Sequence, residues 1–275
     1  MSIFKVISRS IEKKILKNKK QRLVGLTYIK IKYLKHAIGS NTKIHKLLGF
    51  NIEYVSGPEL LHSLTEIFID DIYKSDMPAD PYIIDCGANI GLSILYCYKF
   101  YSNATIDAYE PDDLNFKLLT NNVKQLDSAK IKIFKEAIWI NNNYISFESS
   151  GTQVSKINTE EDEVEKNITK IKATRLRDLL IKKVALLKMD IEGAEYEVIK
   201  DIKDKLHLVT FFFIEYHGNF SNQKEILEIL NIVEEAGFNF YIKEAYNTYP
   251  HPFYRAKNFT PYDIQLNIFC FRAIS

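Results

Sequence analysis

Apolar side chains along this chain fall into short unbroken runs and into stripes at helical spacing, and the two kinds alternate through most of its length. Tyr82-Ile83-Ile84-Asp85-Cys86 is an apolar run closed by two glycines, Gly87 and Gly91, after which Leu92, Ile94, Leu95 and Tyr96 resume with helical character. This is the pattern of a strand, a tight turn and a helix start. Further strands are expected at 105–109, 130–135, 184–189, 209–216, 238–244 and 264–271, the last two as an antiparallel pair. Helices are expected at 113–126, 176–181 and 223–236, and a hairpin pairs 144–148 with 152–156 around Ser149, Ser150 and Gly151. The run Phe211, Phe212, Phe213, Ile214 suits a strand covered on both faces, as in a parallel sheet. Before residue 80 the reading is helical: residues 3–48 form helices, with Phe4, Ile7, Ile11 and Ile15 on one stripe. Ser56-Gly57-Pro58-Glu59 turns into a helix at 60–73, and Pro78 and Pro81 mark the break before the sheet. The predicted division is a basic, mostly helical extension over residues 1–80 and an α/β domain over residues 81–275.

Composition changes this picture in one respect. The 275 residues, 46% hydrophobic, suffice for one sizeable core and an appendage. The net charge of +2 conceals an asymmetry: residues 1–50 hold 13 Lys or Arg and one acid, or +12, and the remainder holds 24 basic against 34 acidic residues, or −10. A basic amphipathic N-terminus can lie on an anionic membrane surface, steer an acidic acceptor, or pack on the domain or a second subunit. Cys86, Cys97 and Cys270 lack metal spacing and are odd in number, which argues against a disulfide framework. Lys5 and Arg9 interrupt the apolar stretch at the start, so no secretory leader is expected, and no apolar run approaches the roughly 18 residues of a membrane span. A cytoplasmic protein, with peripheral contact to the inner membrane face left open, is the resulting expectation.

The chemistry gathers at strand ends. Asp85, Glu110, Glu136 and Asp190 each close a predicted strand, and in a parallel sheet ligands bind outside the carboxyl ends of the strands. Gly87 and Gly91 let backbone approach a ligand, and the helix start beyond them offers N–H donors. Asn89 stands where the dinucleotide fingerprint would carry a glycine, and Asp85 would repel a pyrophosphate, so a cationic ligand fits better than NAD. Glu110, 23 positions after Gly87, is placed for ribose hydroxyls, and Glu136 for an adenine amino group. Glu192 and Glu195 are expected in the first turn of a helix, where carboxylates suit the dipole. His217, at the end of the strand at 209–216, is a candidate general base. Asp190 with Glu192 or Glu215 could supply oxygen ligands to Mg²⁺. The acidic run 160–165 reads as a solvated loop. The aromatic stretch 245–263, with Arg255 and Lys257, is suited to stacking on sugars or to forming a lid.

Three segments together, Asp85-Cys86-Gly87-Ala88-Asn89-Ile90-Gly91, Tyr109-Glu110-Pro111 and Lys188-Met189-Asp190-Ile191-Glu192-Gly193-Ala194-Glu195, resemble the FkbM family of S-adenosylmethionine-dependent O-methyltransferases over roughly residues 81–217. The resemblance implies a Rossmann-like, seven-stranded class I methyltransferase sheet, mostly parallel with the last strand antiparallel. It implies that Asp85, Gly87, Asn89, Gly91, Glu110 and Glu136 hold S-adenosylmethionine, and that Asp190 and His217 face the acceptor, with no dedicated metal site. The acceptor class it implies is a hydroxyl of a saccharide or a polyketide-like small molecule. No nucleic-acid partner is expected, and a homo-oligomer is left open. Two other classes stay beside it: a nucleotide-dependent oxidoreductase, and a non-catalytic binding module on the same fold.

Overall fold

The computed structural model describes residues 16–101, 103–126, 128–148, 156–158, 168–254 and 260–272. The stripe at 3–15, the turn at 149–151, the acidic run and Arg255 and Lys257 lie outside them. The chain forms two compact units interleaved in sequence: one holds residues 1–76, 90–100 and 117–126, the other 77–89, 101–116 and 127–275.

The first unit combines helices Tyr28–His36, Gly57–Ser63 and Leu92–Phe100 with a hairpin of β1 (Lys43–Leu47) and β2 (Phe50–Tyr54), paired antiparallel. The hairpin corrects the expectation of helix through residue 48. Its alternation is legible afterwards: His45 and Leu47 are buried on one strand, Ile52 and Tyr54 on the other. The connection, Leu48 and Gly49, has positive φ at both residues, the geometry of a two-residue hairpin turn. Such a turn normally announces itself as Asn-Gly; leucine in the first place hid it. Asn122 ties the unit together, accepting from Glu53 N at 2.7 Å and donating to Ile90 O at 2.8 Å. The expected helix at 60–73 is an α-helical turn to Ser63 continued as a π-helix over Leu64–Ile69. Among the described residues, no helix is long and apolar enough to cross a membrane.

The second unit carries the main sheet. Its strands are β3 (Tyr82–Cys86), β4 (Thr105–Tyr109), β5 (Ile131–Phe134), β10 (Val184–Met189), β11 (Val209–Gly218), β12 (Asn239–Glu244) and β13 (Ile264–Phe271), in the order β12-β13-β11-β10-β3-β4-β5. Pairings from β5 through β11 are parallel, and β13 runs antiparallel between β11 and β12. The seven expected strands, the parallel majority and the antiparallel last strand are therefore all present. β10 is buried at all six positions, as a central strand should be. Its Leu187 and Met189 belong to the core cluster that also holds Phe212, Ile214, Val198 and Ile199.

A four-stranded sheet, β6-β9-β7-β8, completes the unit, with β6 (Ala137–Trp139), β7 (Tyr144–Glu148), β8 (Lys156–Asn158) and β9 (Ile168–Arg175). The expected hairpin partner at 152–156 is met by β8 at 156–158, antiparallel to β7; residues 152–155 are outside the described residues. β9 was not anticipated, although Ile171 and Ala173 are buried between polar Lys170, Lys172 and Thr174, the alternation of a half-buried strand.

Candidate functional site

On the β3–β4 side, the turn after Cys86 is closed by its own protein. Gly87 N and Ala88 N both donate to Tyr109 O at 2.9 Å, and Asn89 N donates to Glu110 Oε2 at 2.8 Å. Glu110 Oε1 accepts from Asp112 N at 2.9 Å, and Asp112 Oδ1 then caps the helix Asp113–Val123 through Leu114 N and Asn115 N. The N–H groups of Gly87, Ala88 and Asn89 are thus already engaged. Burial pushes the Glu110 carboxyl up to about 7, against the pull of these two donors. Gly87, at φ +82°, is required for a reason the sequence did not reveal: a Cβ there would lie 1.7 Å from the Asp190 carbonyl oxygen. The turns after β3 and β10 therefore meet backbone to backbone.

Lys188 occupies the middle of this junction. It is 5% exposed, and its Nζ donates to Gly87 O at 2.6 Å and lies 3.3 Å from Asp85 and 3.5 Å from Asp190. Burial works against its charge, but Asp85 and Asp190 outweigh that and hold its pKa above the ordinary lysine value. Asp85, 2% exposed, is consequently an internal counter-ion rather than an open carboxylate. The signal was present in sequence: a lysine inside the otherwise apolar strand Val184–Met189 has to be paired.

On the β10–β11 side, carboxylates surround one imidazole. Glu192 (φ +55°) and Gly193 (φ +98°) form a turn, and the helix begins only at Glu195, so Glu192 is not in its first turn. Glu195 is fully buried and folds back to accept from Ile191 N at 3.1 Å and Gly193 N at 3.0 Å. It also holds His217 Nδ1 at 3.3 Å. His217 Nε2 lies 3.6 Å from both Glu192 Oε2 and Glu215 Oε1. The Tyr262 ring sits 4.8 Å from the imidazole, and its hydroxyl donates to Glu192 O at 2.7 Å. Burial would lower the His217 pKa, but Glu192, Glu195 and Glu215 together raise it well above the ordinary value. Asp190 is the most open of the group, its side chain 27% exposed.

Of the residues expected at the site, Asp85, Gly87, Asn89, Glu110, Asp190 and His217 belong to the sheet unit and cluster at strand ends. Gly91 belongs to the other unit, where a Cβ would strike Leu119 at 2.7 Å. Glu136 has both oxygens engaged on β9, by Lys172 at 2.6 Å and by Thr174. Those bonds outweigh burial and lower its pKa. Lys188 and Glu195 join the site without having been assigned a place in it.

A model of the methyltransferase FkbM domain matches residues 85–240. "Methyltransferase 1" of Beauveria bassiana is 28% identical over 203 residues, covering 62% of this chain and 79% of the relative. The hexuronic acid methyltransferase AglP of Haloferax volcanii is 27% identical over 155 residues, covering 55% and 62%. The crystal structure of methyltransferase FkbM from Methylobacillus flagellatus KT aligns at 14% identity with a TM-score of 0.47, over 88% of this chain and 58% of that one.

Proposed function

The chain belongs to the FkbM family of methyltransferases, and from that premise we propose that it is an S-adenosylmethionine-dependent O-methyltransferase acting on a hydroxyl of a saccharide or a polyketide-like small molecule. The observation that carries this reading is the acidic rim itself. Asp85, Asp190, Glu192, Glu195 and Glu215 gather around Lys188 and His217, while the N–H groups of Gly87, Ala88 and Asn89 are spent on Tyr109 and Glu110. Such a site favours a cationic ligand without phosphates. The bound donor would supply a methyl group already activated by its sulfonium.

The residues of the chain have the remaining tasks. Glu110 can accept from ribose hydroxyls with the lone pairs its backbone donors leave over, and the Asp85–Asn89 turn borders the methionine end. Asp190, the most open carboxylate, would receive the acceptor's proton as the oxygen takes the methyl group. His217, held by Glu195, stands behind it as a positioning residue. Glu136 is assigned to bracing β6 and β9 rather than to adenine. The saccharide class is supported by the name of one relative, a hexuronic acid methyltransferase, and by the aromatic side chains at 246–262. The engaged turn donors weigh against an oxidoreductase using NAD.

Calorimetry with S-adenosylmethionine and S-adenosylhomocysteine, with NADH as control, tests the donor. Transfer of labelled methyl groups to a panel of uronic acids, neutral sugars and hydroxylated polyketides then tests the acceptor. Absence of binding to both sulfur ligands would overturn the reading. Donor binding without transfer to any hydroxyl acceptor would leave the non-catalytic module.

A further inference from the structure

The cluster at the ends of β10 and β11 is arranged in a way that acid–base chemistry alone does not require. Asp190, Glu192 and His217 each present one donor atom, and these three atoms lie within 4.8 Å of one another. The separations are informative. His217 Nε2 stands 3.6 Å from Glu192 Oε2 and 3.6 Å from Glu215 Oε1, beyond the roughly 2.7–3.2 Å of an N–H···O hydrogen bond. Atoms bound to one metal ion at about 2.1 Å are separated by roughly 3.0–3.4 Å in octahedral or tetrahedral geometry, so Glu192 and Glu215 need only a small inward adjustment and the set that includes Asp190, within 4.8 Å, a larger one.

The imidazole supplies a second observation. His217 is 6% exposed, and its Nε2 faces Glu192 and Glu215 in two ion-pair contacts at 3.6 Å, longer than a hydrogen bond. Its other nitrogen is held by Glu195, which is itself buried and fixed by two backbone donors. A carboxylate on one histidine nitrogen with the other turned toward acidic ligands is the arrangement that orients metal-binding imidazoles. Charge points the same way: five carboxylates, Asp85, Asp190, Glu192, Glu195 and Glu215, face Lys188 and His217.

We propose that Asp190, Glu192 and His217 bind a divalent cation, with Glu215 within reach as a further donor and Glu195 orienting the imidazole. The proposal rests on the methyl-transfer reading only for the ion's purpose. One nitrogen and two or three carboxylate donors suit Mn²⁺, Zn²⁺ or Co²⁺ better than Mg²⁺, which takes oxygen ligands. This differs from the all-oxygen Mg²⁺ set left open by the sequence. Held there, the ion would draw in the acceptor hydroxyl, lower its pKa and chelate a neighbouring hydroxyl or carboxylate, which favours polyol and uronate acceptors.

The test uses the full chain stripped with chelator and titrated with Mn²⁺, the free ion being read by its electron paramagnetic resonance signal. One ion per chain is expected, with nitrogen coupling in the pulsed spectrum. Both H217A and E192Q should weaken binding at least tenfold, and E195Q roughly 10–100-fold with altered nitrogen coupling. Magnesium should compete poorly and zinc well. S-Adenosylhomocysteine binding by calorimetry reports whether each variant is folded. Wild-type protein that binds S-adenosylhomocysteine but not Mn²⁺, or Mn²⁺ binding indifferent to H217A and E192Q in folded protein, overturns the proposal. Mn²⁺ binding with the nitrogen signature but no S-adenosylhomocysteine binding keeps the ion site and overturns the methyl-donor reading instead.

Discussion

The two sides of the acidic rim, built on one sheet, are finished to different degrees. At the end of β3 every described backbone donor of the Gly87–Asn89 turn has a partner, and Asp85 has a buried ammonium beside it. At the ends of β10 and β11, Glu192 and Glu215 stand off His217 at 3.6 Å, and like charges crowd one another. The first side is a preorganised frame to which a ligand adds. The second is an electrostatic arrangement that a cation would complete. Preorganisation and crowded charge are thus divided between neighbouring strands, which lets one side stay rigid while the other changes partners.

The sharpest way to break this comparison is to remove the ammonium of the finished side. K188M would strand Asp85 in the interior, and loss of one partner of a buried pair costs about 3–5 kcal/mol; chemical denaturation should show a loss of that order, and a loss below about 1 kcal/mol would mean that Lys188 is not the partner that matters. Next is pH. Glu110 has its folded pKa raised from 4.5 to about 7, so the folded state holds a proton that the unfolded state releases, and stability falls as pH rises through that window. The swing is roughly 3 kcal/mol at 1.36 kcal/mol per unit. Melting curves between about pH 4.5 and 8 should therefore show a shallower decline for E110Q than for the parent; equal slopes would refute the assignment.

A smaller effect is expected at the junction of the two sides. G87A would place a side chain at φ +82° against the Asp190 carbonyl, at a cost of about 1–3 kcal/mol for the backbone strain alone, plus whatever the two turns lose by moving apart. Equilibrium unfolding measures it, and an unchanged midpoint would show that the turns are not in contact. The smallest change is on the unfinished side. Y262F removes the hydroxyl that donates to Glu192 O at 2.7 Å, a loss of about 0.5–1.5 kcal/mol. If the main result of Y262F is instead a large fall in methyl transfer with stability intact, Tyr262 touches the acceptor.

Much of the fold was legible because local pattern and tertiary role agree in it. Val184–Met189 reads as a buried strand and is one, and the alternation of strands and helices yields the parallel sheet. What escaped depends on partners distant in sequence. β9 is recognisable only beside β6 and β7, and the β1–β2 hairpin is masked by lysines and by Leu48 in a left-handed turn. The site divides similarly. Acids at strand ends could be named from the chain alone, since topology puts them on one rim. That Asp85 is spent on Lys188, that Glu136 is spent on Lys172 and Thr174, and that Glu195 orients His217 are facts of side-chain direction, which residue spacing does not encode.

A single ammonium spans both sides of the rim. Lys188 grips the Gly87 carbonyl and Asp85 on one hand and Asp190 on the other, so whatever draws Asp190 away also alters the field beneath the first turn. If a methyl donor and a cation occupy the two places as proposed, their binding is linked through this side chain, and the linkage is reciprocal: a donor that tightens the cation is itself tightened by the same factor. Order of loading and strength of product retention would then turn on one side chain, set where an apolar strand admits a charge.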